Sequence, residues 1–598
     1  MKKTILSILA IFLTVSAFAD VVPASKAESV AKRFMGASTV NLVWDGNEGV
    51  QTKAASTPSF YVYDIPGGGW VIVSAEDSTT PILGYSDTGS FKTEGMPVNL
   101  ASWLGNMRRD IRRAREDKLE ATAEVRQLWA NPVKSKTKAG SSAKYLTTPS
   151  WDQESPYNNY LSTYVKKGNN GVSGLYTGCV ATAMAEVLRY HQWPEKGTGT
   201  LEGYTTSTSK YTVSSDDIST HTYDWSNMPY TYGNSATTAQ KNAVAQLMVD
   251  CGIMVQMDYG TSSVGGSGAY AEDMLPALIE HMGYSKKAVF RYRTNYTTEE
   301  WMNMIAEDID NDRPVLYGGS GDDGGHQFLC DGYDYENTML HINWGWSGSN
   351  NGYFTLTMKV SNYTFDEGQS ALFGLEPDKT GTSEYGDVEL SMIYYSDSDI
   401  NGVELVSGTV AKGETFSIGA GNFYNSSNIA YTGAVKVVLA DKDGNWKEDI
   451  SEIMEMTDEE DTEGLPSGYF FYLPSSDPVE CTITEDIALG DRIAFWYRLN
   501  DNSWAPVIID HENLAYPWEW ACVDACFIDV KTSYSSGDVF YYKLIPGNKG
   551  ISGIAWSFDG TTTTDFSTKL TSGTHTVSAV VTFTDNTSET ITQKLVVK

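Results

Sequence analysis

Cys179 sits where a thiol could act as a nucleophile. Gly178 precedes it, and Val180-Ala181-Thr182-Ala183-Met184-Ala185-Glu186-Val187 follows as a strong helix-forming run. The pattern predicts Cys179 at a helix N-terminus, where free N–H groups and the positive end of the dipole lower a thiol pKa. The alanines would let such a helix lie buried between two lobes. Most lone cysteines are instead small buried hydrophobes, so the position gains meaning only with a base beside it. The chain has seven histidines. His191 falls twelve residues along the same helix, roughly 18 Å away at about 1.5 Å per residue. His221 and His281 lie in polar or helical stretches without a supporting motif, and His511 and His575 fall in the β-rich C-terminal part. His326 differs. Gly324-Gly325-His326-Gln327-Phe328 places it at the start of a strand, with glycines that permit close approach of backbone or substrate. A thiol–imidazole pair also needs a group that fixes the imidazole tautomer. Asn343, in His341-Ile342-Asn343-Trp344-Gly345-Trp346, can accept from the ring N–H, and Trp344 and Trp346 can shield that bond and wall a cleft. A buried aromatic strand is the competing reading of this stretch, and His341 belongs with it.

The elements that must position these groups follow from periodicity. Helical spacing over 25–35 precedes a hairpin of Phe60-Tyr61-Val62-Tyr63, a Gly67-Gly68-Gly69 turn and Trp70-Val71-Ile72-Val73. After Pro97, residues 100–128 read as one long charged helix, and 134–142 as a polar linker of the kind where proteolytic nicking concentrates. From about 145 to 376, helices over 179–191, 238–252, 271–282 and 298–310 precede strands over 313–317, 327–333, 339–344 and 353–358. Helices first and sheet later predict an α+β domain of two lobes. From about 380 onward, short alternating strands separated by Gly, Asn, Asp and Ser turns predict two β-sandwich modules.

Composition excludes several functions. The net charge of −33 and pI of about 4.5, with no basic block, argue against nucleic acid and anionic membrane as partners. Lys2 and Lys3, an apolar run over 5–15 and Ala17-Phe18-Ala19 form a cleavable signal-peptide pattern too short to span a bilayer. The expected location is therefore secreted or periplasmic, and no later stretch predicts a membrane span. Six cysteines are sparse for a chain of 598 residues. Cys522 and Cys526 are spaced for a local bridge, and no His and Cys stand at zinc-ligand spacing.

Residues 145–376 resemble the streptopain family of papain-like cysteine peptidases. The resemblance rests on Gly178-Cys179-Val180-Ala181-Thr182-Ala183-Met184-Ala185, His191-Gln192-Trp193-Pro194, Asp258-Tyr259-Gly260, Gly324-Gly325-His326-Gln327-Phe328 and Asn343-Trp344-Gly345-Trp346-Ser347-Gly348, in that order. His326 lies 147 positions after Cys179, within the roughly 130–150 that separate nucleophile and base in papain-like enzymes. The resemblance implies endopeptidase action on protein substrates, with Cys179 as nucleophile, His326 as base and acid, Asn343 as its orienter, and no metal or organic cofactor. It implies Trp344 and Trp346 as cleft tryptophans, and Gly265, Gly266 and Ser267, with the Gly325 backbone, as the substrate rim. For the oxyanion it implies the Cys179 N–H and Gln153; papain carries a Gln six residues before its Cys, where this chain has Ser173. Gly69-Trp70-Val71-Ile72-Val73-Ser74-Ala75-Glu76-Asp77 and Ile82-Leu83-Gly84-Tyr85-Ser86 resemble the family's pro-segment, implying an inhibitory propeptide as an internal partner, cut near 134–142.

The expected organisation is thus a signal peptide over 1–19, a propeptide over 20–140, a peptidase domain over 141–376, a β-sandwich over 377–524 and an Ig-like β-sandwich over 525–598. Two other functions fit the same residues. A Cys–His–Asn arrangement also suits acyl transfer to an amine, as in transglutaminase-like enzymes. An adhesin-like protein, whose C-terminal modules bind a cell surface or another protein, could carry the peptidase as an auxiliary domain.

Overall fold

The computed structural model describes residues 21–46, 57–134, 143–321, 324–356, 368–386, 388–394, 398, 400–427, 429–457, 463–509, 518–531, 533–563 and 567–598. The expected signal peptide, most of the expected linker and His511 lie outside the described residues.

One antiparallel sheet of eleven strands runs through the N-terminal half of the chain. Its first four strands, Asn41–Trp44, Phe60–Asp64, Trp70–Ser74 and Ile82–Ser86, come from the N-terminal unit. The sheet continues into Gly352–Thr355, Met339–Asn343, Gly324–Asp334, Val315–Gly321, Ser370–Phe373 and Val289–Tyr292, with Ala143–Tyr145 also pairing with Gly324–Asp334. Side chains alternate between the two faces of a strand, and here both faces are covered. Phe60, Val62 and Ile72 enter one core, while Tyr61, Tyr63, Val71 and Val73 enter another beneath Ala27, Val30, Ala31 and Phe34 of the helix Ala24–Met35. The seam between the units pairs Tyr85 with Tyr353 and Gly84 with Phe354. Gly84 is required there, because a Cβ would stand 2.9 Å from both the Phe354 ring and the Tyr353 carbonyl oxygen. Tyr85 stacks on Tyr353 at 4.9 Å and donates to Asp334 Oδ2 at 2.9 Å.

The long helix predicted over 100–128 is two helices, Val98–Glu116 and Ala123–Ala130. Lys118 takes the left-handed conformation at φ 53°, and Leu119 N–H donates back to Ala114 O at 2.9 Å, a closure that ends a helix. Thr122 then caps the second helix by accepting from Val125 N–H at 3.1 Å. The helix Cys179–His191 matches the sequence expectation, and so does Thr298–Asp310, which opens on a capping box at Thr297 and Glu300. Cys179–His191 packs with Thr238–Met254 and Met274–Met282 in a core that also takes in Leu316, Leu329 and Leu372 of the sheet. These helices form one lobe, and the sheet forms the other.

Toward the C-terminus, a five-stranded and a six-stranded sheet enclose one core. Leu390, Val403, Ile418 and Phe423 face Val435, Val437, Leu439, Ile493 and Phe495 across it. The final unit has a separate core in which Val577, Ala579 and Val581 alternate inward from the strand Gly573–Phe583. All six cysteines are free, so no Cys522–Cys526 bridge forms. Among the described residues, no helix is long and apolar enough to cross a membrane.

Candidate active site

Cys179 is the first residue of its helix, preceded by Gly178 at φ 91° and ψ 145°. That positive φ favours glycine. A Cβ on Gly178 would also lie 2.6 Å from Met257 Sδ. Gly178→Ala is therefore expected to destabilise the fold by about 1–3 kcal/mol and, by displacing the thiol, to lower kcat/KM at least ~10-fold. Thermal denaturation and peptide kinetics check this; wild-type values in both would contradict it. Val180 to Leu188 are all buried, and Thr182 Oγ1 donates to Gly178 O at 2.9 Å, closing the first turn over the glycine.

Burial pushes the Cys179 thiol above its ordinary range. Backbone N–H groups of Gln327, Val180 and Cys179 itself oppose this. The helix terminus thus acts as the sequence suggests, but in this state the loss of hydration outweighs it.

His326 lies in the strand Gly324–Asp334 and pairs with Gly319. Cys179, His326, Gln153, Gly325, Gly265, Gly266, Ser267 and Trp346 line one cleft between the lobes. Gln153 is 5% exposed, and its carbonyl accepts from Thr177 N–H at 3.1 Å. Gly265 and Gly266 both sit at φ 90°, and Ser267 Oγ donates to Tyr176 O at 2.7 Å, fixing the rim against the residues before Cys179. The Trp346 ring lies 6.3 Å from that of Tyr176.

Two expected residues are placed elsewhere. Trp344 does not wall the cleft; it is 1% exposed, packed among Trp103, Phe328 and Phe354. Its ring faces the sheet's core and so cannot also face the lobe interface. Asn343 is fully buried and makes no hydrogen bond to His326. Its Nδ2 donates to Pro149 O at 2.6 Å and Glu186 Oε2 at 3.2 Å, while Oδ1 accepts from Gly345 N–H at 3.2 Å and Asn351 Nδ2 at 3.0 Å.

Glu186 escaped the sequence reading. It is fully buried on the Cys179 helix, where Oε1 accepts from Trp151 N–H at 2.8 Å and Oε2 from Asn343. Burial raises its pKa well above the usual carboxylate value, while the Trp151 and Asn343 donors oppose that rise and Asp331 adds to it. Ser347 N–H donates to Trp151 O at 2.6 Å and Ser347 Oγ to Asp152 Oδ2 at 2.7 Å, so the Cys179 helix, the Gln153 segment and the Trp346 turn are tied together. A lone carboxyl inside an otherwise small and apolar helical run was the available signal.

The other described histidines have structural partners. His191 bonds Tyr284 Oη at 2.8 Å and is lowered by burial to about 4. His281 bonds Thr198 O, His341 bonds Asp331 and His575 bonds Asp559. Asp216, His221 and Asp250 are spaced closely enough to hold a cation, but His221 already sets one ring nitrogen 2.9 Å from Asp250 Oδ2 and the other 3.4 Å from Asp216 Oδ1. Its imidazole occupies the space between the carboxylates, and the Asp250 hydrogen bond raises its pKa.

The N-terminal unit closes on this region. Val98 borders the cleft, Asn99 Nδ2 donates to Trp344 O at 2.7 Å, and Lys92 and Asn350 exchange two hydrogen bonds of 2.7 and 2.9 Å. His326 also borders a second cavity, walled by Trp103, Asn106 and Met107 of the Val98–Glu116 helix.

Comparison with known proteins gives these features a family. Residues 151–354 match the peptidase C10 family, and residues 19–111 match the Spi protease inhibitor family. Streptopain of Streptococcus pyogenes is 34% identical over 348 residues, covering 54% of this chain and 82% of streptopain. The chain belongs to the streptopain family, peptidase family C10. It is a cysteine peptidase with an inhibitor-type propeptide. A second streptopain-family relative, the thiol protease/hemagglutinin PrtT of Porphyromonas gingivalis, is 31% identical over 378 residues, covering 59% of this chain and 42% of PrtT. The solved fragment of prointerpain A from Prevotella intermedia has 30% identity and a TM-score of 0.43, covering 58% of this chain and 99% of the fragment.

Proposed function

We propose that this chain is an exported endopeptidase made as a zymogen, which hydrolyses protein substrates through a thioester on Cys179. The convergence of Cys179, His326 and Gln153 on a single cleft carries this reading. His326 takes the Cys179 proton, and the sulfur attacks the scissile carbonyl carbon. The resulting oxyanion accepts from the Cys179 backbone N–H and the Gln153 amide. Collapse expels the amine, which takes its proton from His326 and leaves a thioester. Water, deprotonated by His326, then attacks that thioester and releases the acid and the free thiol. Asn343 has another part in this reading. Its carboxamide braces the turn that carries Trp346, instead of touching the imidazole. The propeptide, continuous with the peptidase sheet and bordering the cleft, keeps the enzyme latent until the segment near 134–142 is cut.

Gln153→Ala tests the oxyanion assignment. It is expected to lower kcat by ~10²–10³ with little change in KM, because the donor acts where charge develops in the transition state. Steady-state kinetics on a fluorogenic peptide decide it, and a loss confined to KM would remove Gln153 from this role.

A further inference from the structure

Glu272 stands in the 3₁₀ turn Ala271–Asp273 on the rim of the cleft. Among the described residues lining that cleft it is the one carboxylate, and no lysine or arginine lines it. Its Oε1 accepts from Tyr292 Oη at 2.7 Å. Tyr292 ends the strand Val289–Tyr292, outermost in the eleven-stranded sheet, and its ring meets that of Tyr424 edge-on at 5.7 Å. Tyr424 is a buried residue of the strand Thr415–Asn425, in the first C-terminal sandwich. The same edge strand is fastened to that sandwich at a second point. Arg291 pairs with Glu389 at 2.5 Å, with the two side chains 9% and 15% exposed, and Tyr296 Oη donates to Glu389 Oε1 at 3.1 Å. Burial, Tyr424 and Glu272 all push the Tyr292 hydroxyl well above its ordinary pKa, so it remains a donor to the carboxylate.

We infer that the first sandwich is part of the peptidase's substrate site: through Tyr424 and Tyr292 it holds the Glu272 carboxylate at the cleft rim, where that carboxylate selects peptides bearing lysine or arginine near the scissile bond. The inference rests on Cys179 as the nucleophile of this cleft. An exposed ion pair is weak because two mobile side chains must be ordered to form it. A carboxylate already held by a half-buried tyrosine that packs on buried Tyr424 avoids part of that cost, so the substrate's cation meets a positioned partner. The chain's own expected cleavage segment carries Lys134, Lys136 and Lys138.

The test uses the full chain after maturation and pairs of fluorogenic peptides that differ only in lysine or norleucine, placed in turn at each position flanking the cut. Wild-type enzyme is expected to prefer lysine at one position by about fivefold in kcat/KM, and 1 M NaCl should shrink that preference. Glu272→Gln should bring the ratio near one. Tyr292→Phe, which keeps the ring but removes the donor, and Tyr424→Ala in the sandwich should both reduce it, chiefly through KM for the lysine peptide. A wild-type enzyme without the preference, or a preference that survives Glu272→Gln, would overturn the assignment of the carboxylate. A preference lost in Glu272→Gln but intact in Tyr292→Phe and Tyr424→Ala would overturn the role of the sandwich; if Tyr424→Ala does not fold, Tyr292→Phe decides alone. Cleavage by a Cys179→Ala control would locate the failure in the nucleophile instead.

Discussion

Cys179→Ala is expected to give a folded, full-length chain that retains its propeptide and cleaves no casein. Alanine suits the first turn of a helix and is smaller than cysteine, so the buried run from Val180 to Leu188 has no reason to shift. What disappears is the one thiol among the described residues of the cleft, and with it the proposed thioester. Removing the nucleophile from an acyl-transfer site costs on the order of 10⁶-fold in kcat. Because the proposed maturation is self-catalysed, the same substitution should stop it, and addition of active enzyme in trans should restore cleavage near 134–142. Intact-mass analysis after incubation reads both outcomes. Spontaneous loss of the propeptide by the variant would show that another enzyme, or another residue, does the work.

His326→Gln should be nearly as damaging, on the order of 10⁶-fold near neutral pH, and its pH profile should distinguish loss of a base from loss of structure. Burial raises the Cys179 thiol, so without His326 to take its proton the thiol stays protonated at neutral pH. A group with a raised pKa ionises only as pH climbs. The residual rate of the variant is therefore expected to rise steadily into the alkaline range, a dependence that the wild type lacks near neutral pH because His326 takes the proton. A variant whose profile keeps the wild-type shape at reduced height would place the base elsewhere.

Much of this site was legible because its chemistry demands unusual local sequence. Gly178 before a small-residue run announces a helix that starts at Cys179 and can lie buried, and the helix Cys179–His191 does both. Gly324 and Gly325 before His326 announce a strand that must leave room beside it, and Gly325 lines the cleft with Gly318 and Gly319 of the neighbouring strand. The rest depended on which face of an element meets which layer. Asn343 and Trp344 are adjacent to Trp346, yet Trp346 reaches the cleft while Trp344 enters the sheet core and Asn343 a buried hydrogen-bond group. Nothing in local periodicity says where the strand Met339–Asn343 ends and the turn begins. Glu186 was hidden for a similar reason, since its partners Trp151 and Asn343 are 35 and 157 residues away. The break at Lys118 was missed because charged residues continue across it, and only the Thr122 cap marks the second helix. The sandwich modules were visible as alternation, but their grip on the peptidase edge strand through Glu389 and Tyr424 is a tertiary fact.

The central claim is that Cys179 is the nucleophile, and covalent trapping tests it most directly. Matured enzyme is titrated with an epoxysuccinyl inhibitor, and each cysteine-containing peptide is mapped by mass spectrometry. One adduct is expected, on the peptide containing Cys179, rising in step with loss of activity, while Cys251, Cys330, Cys481, Cys522 and Cys526 remain unmodified. Complete inactivation with the adduct on any of those five, or full activity with Cys179 fully labelled, would contradict it.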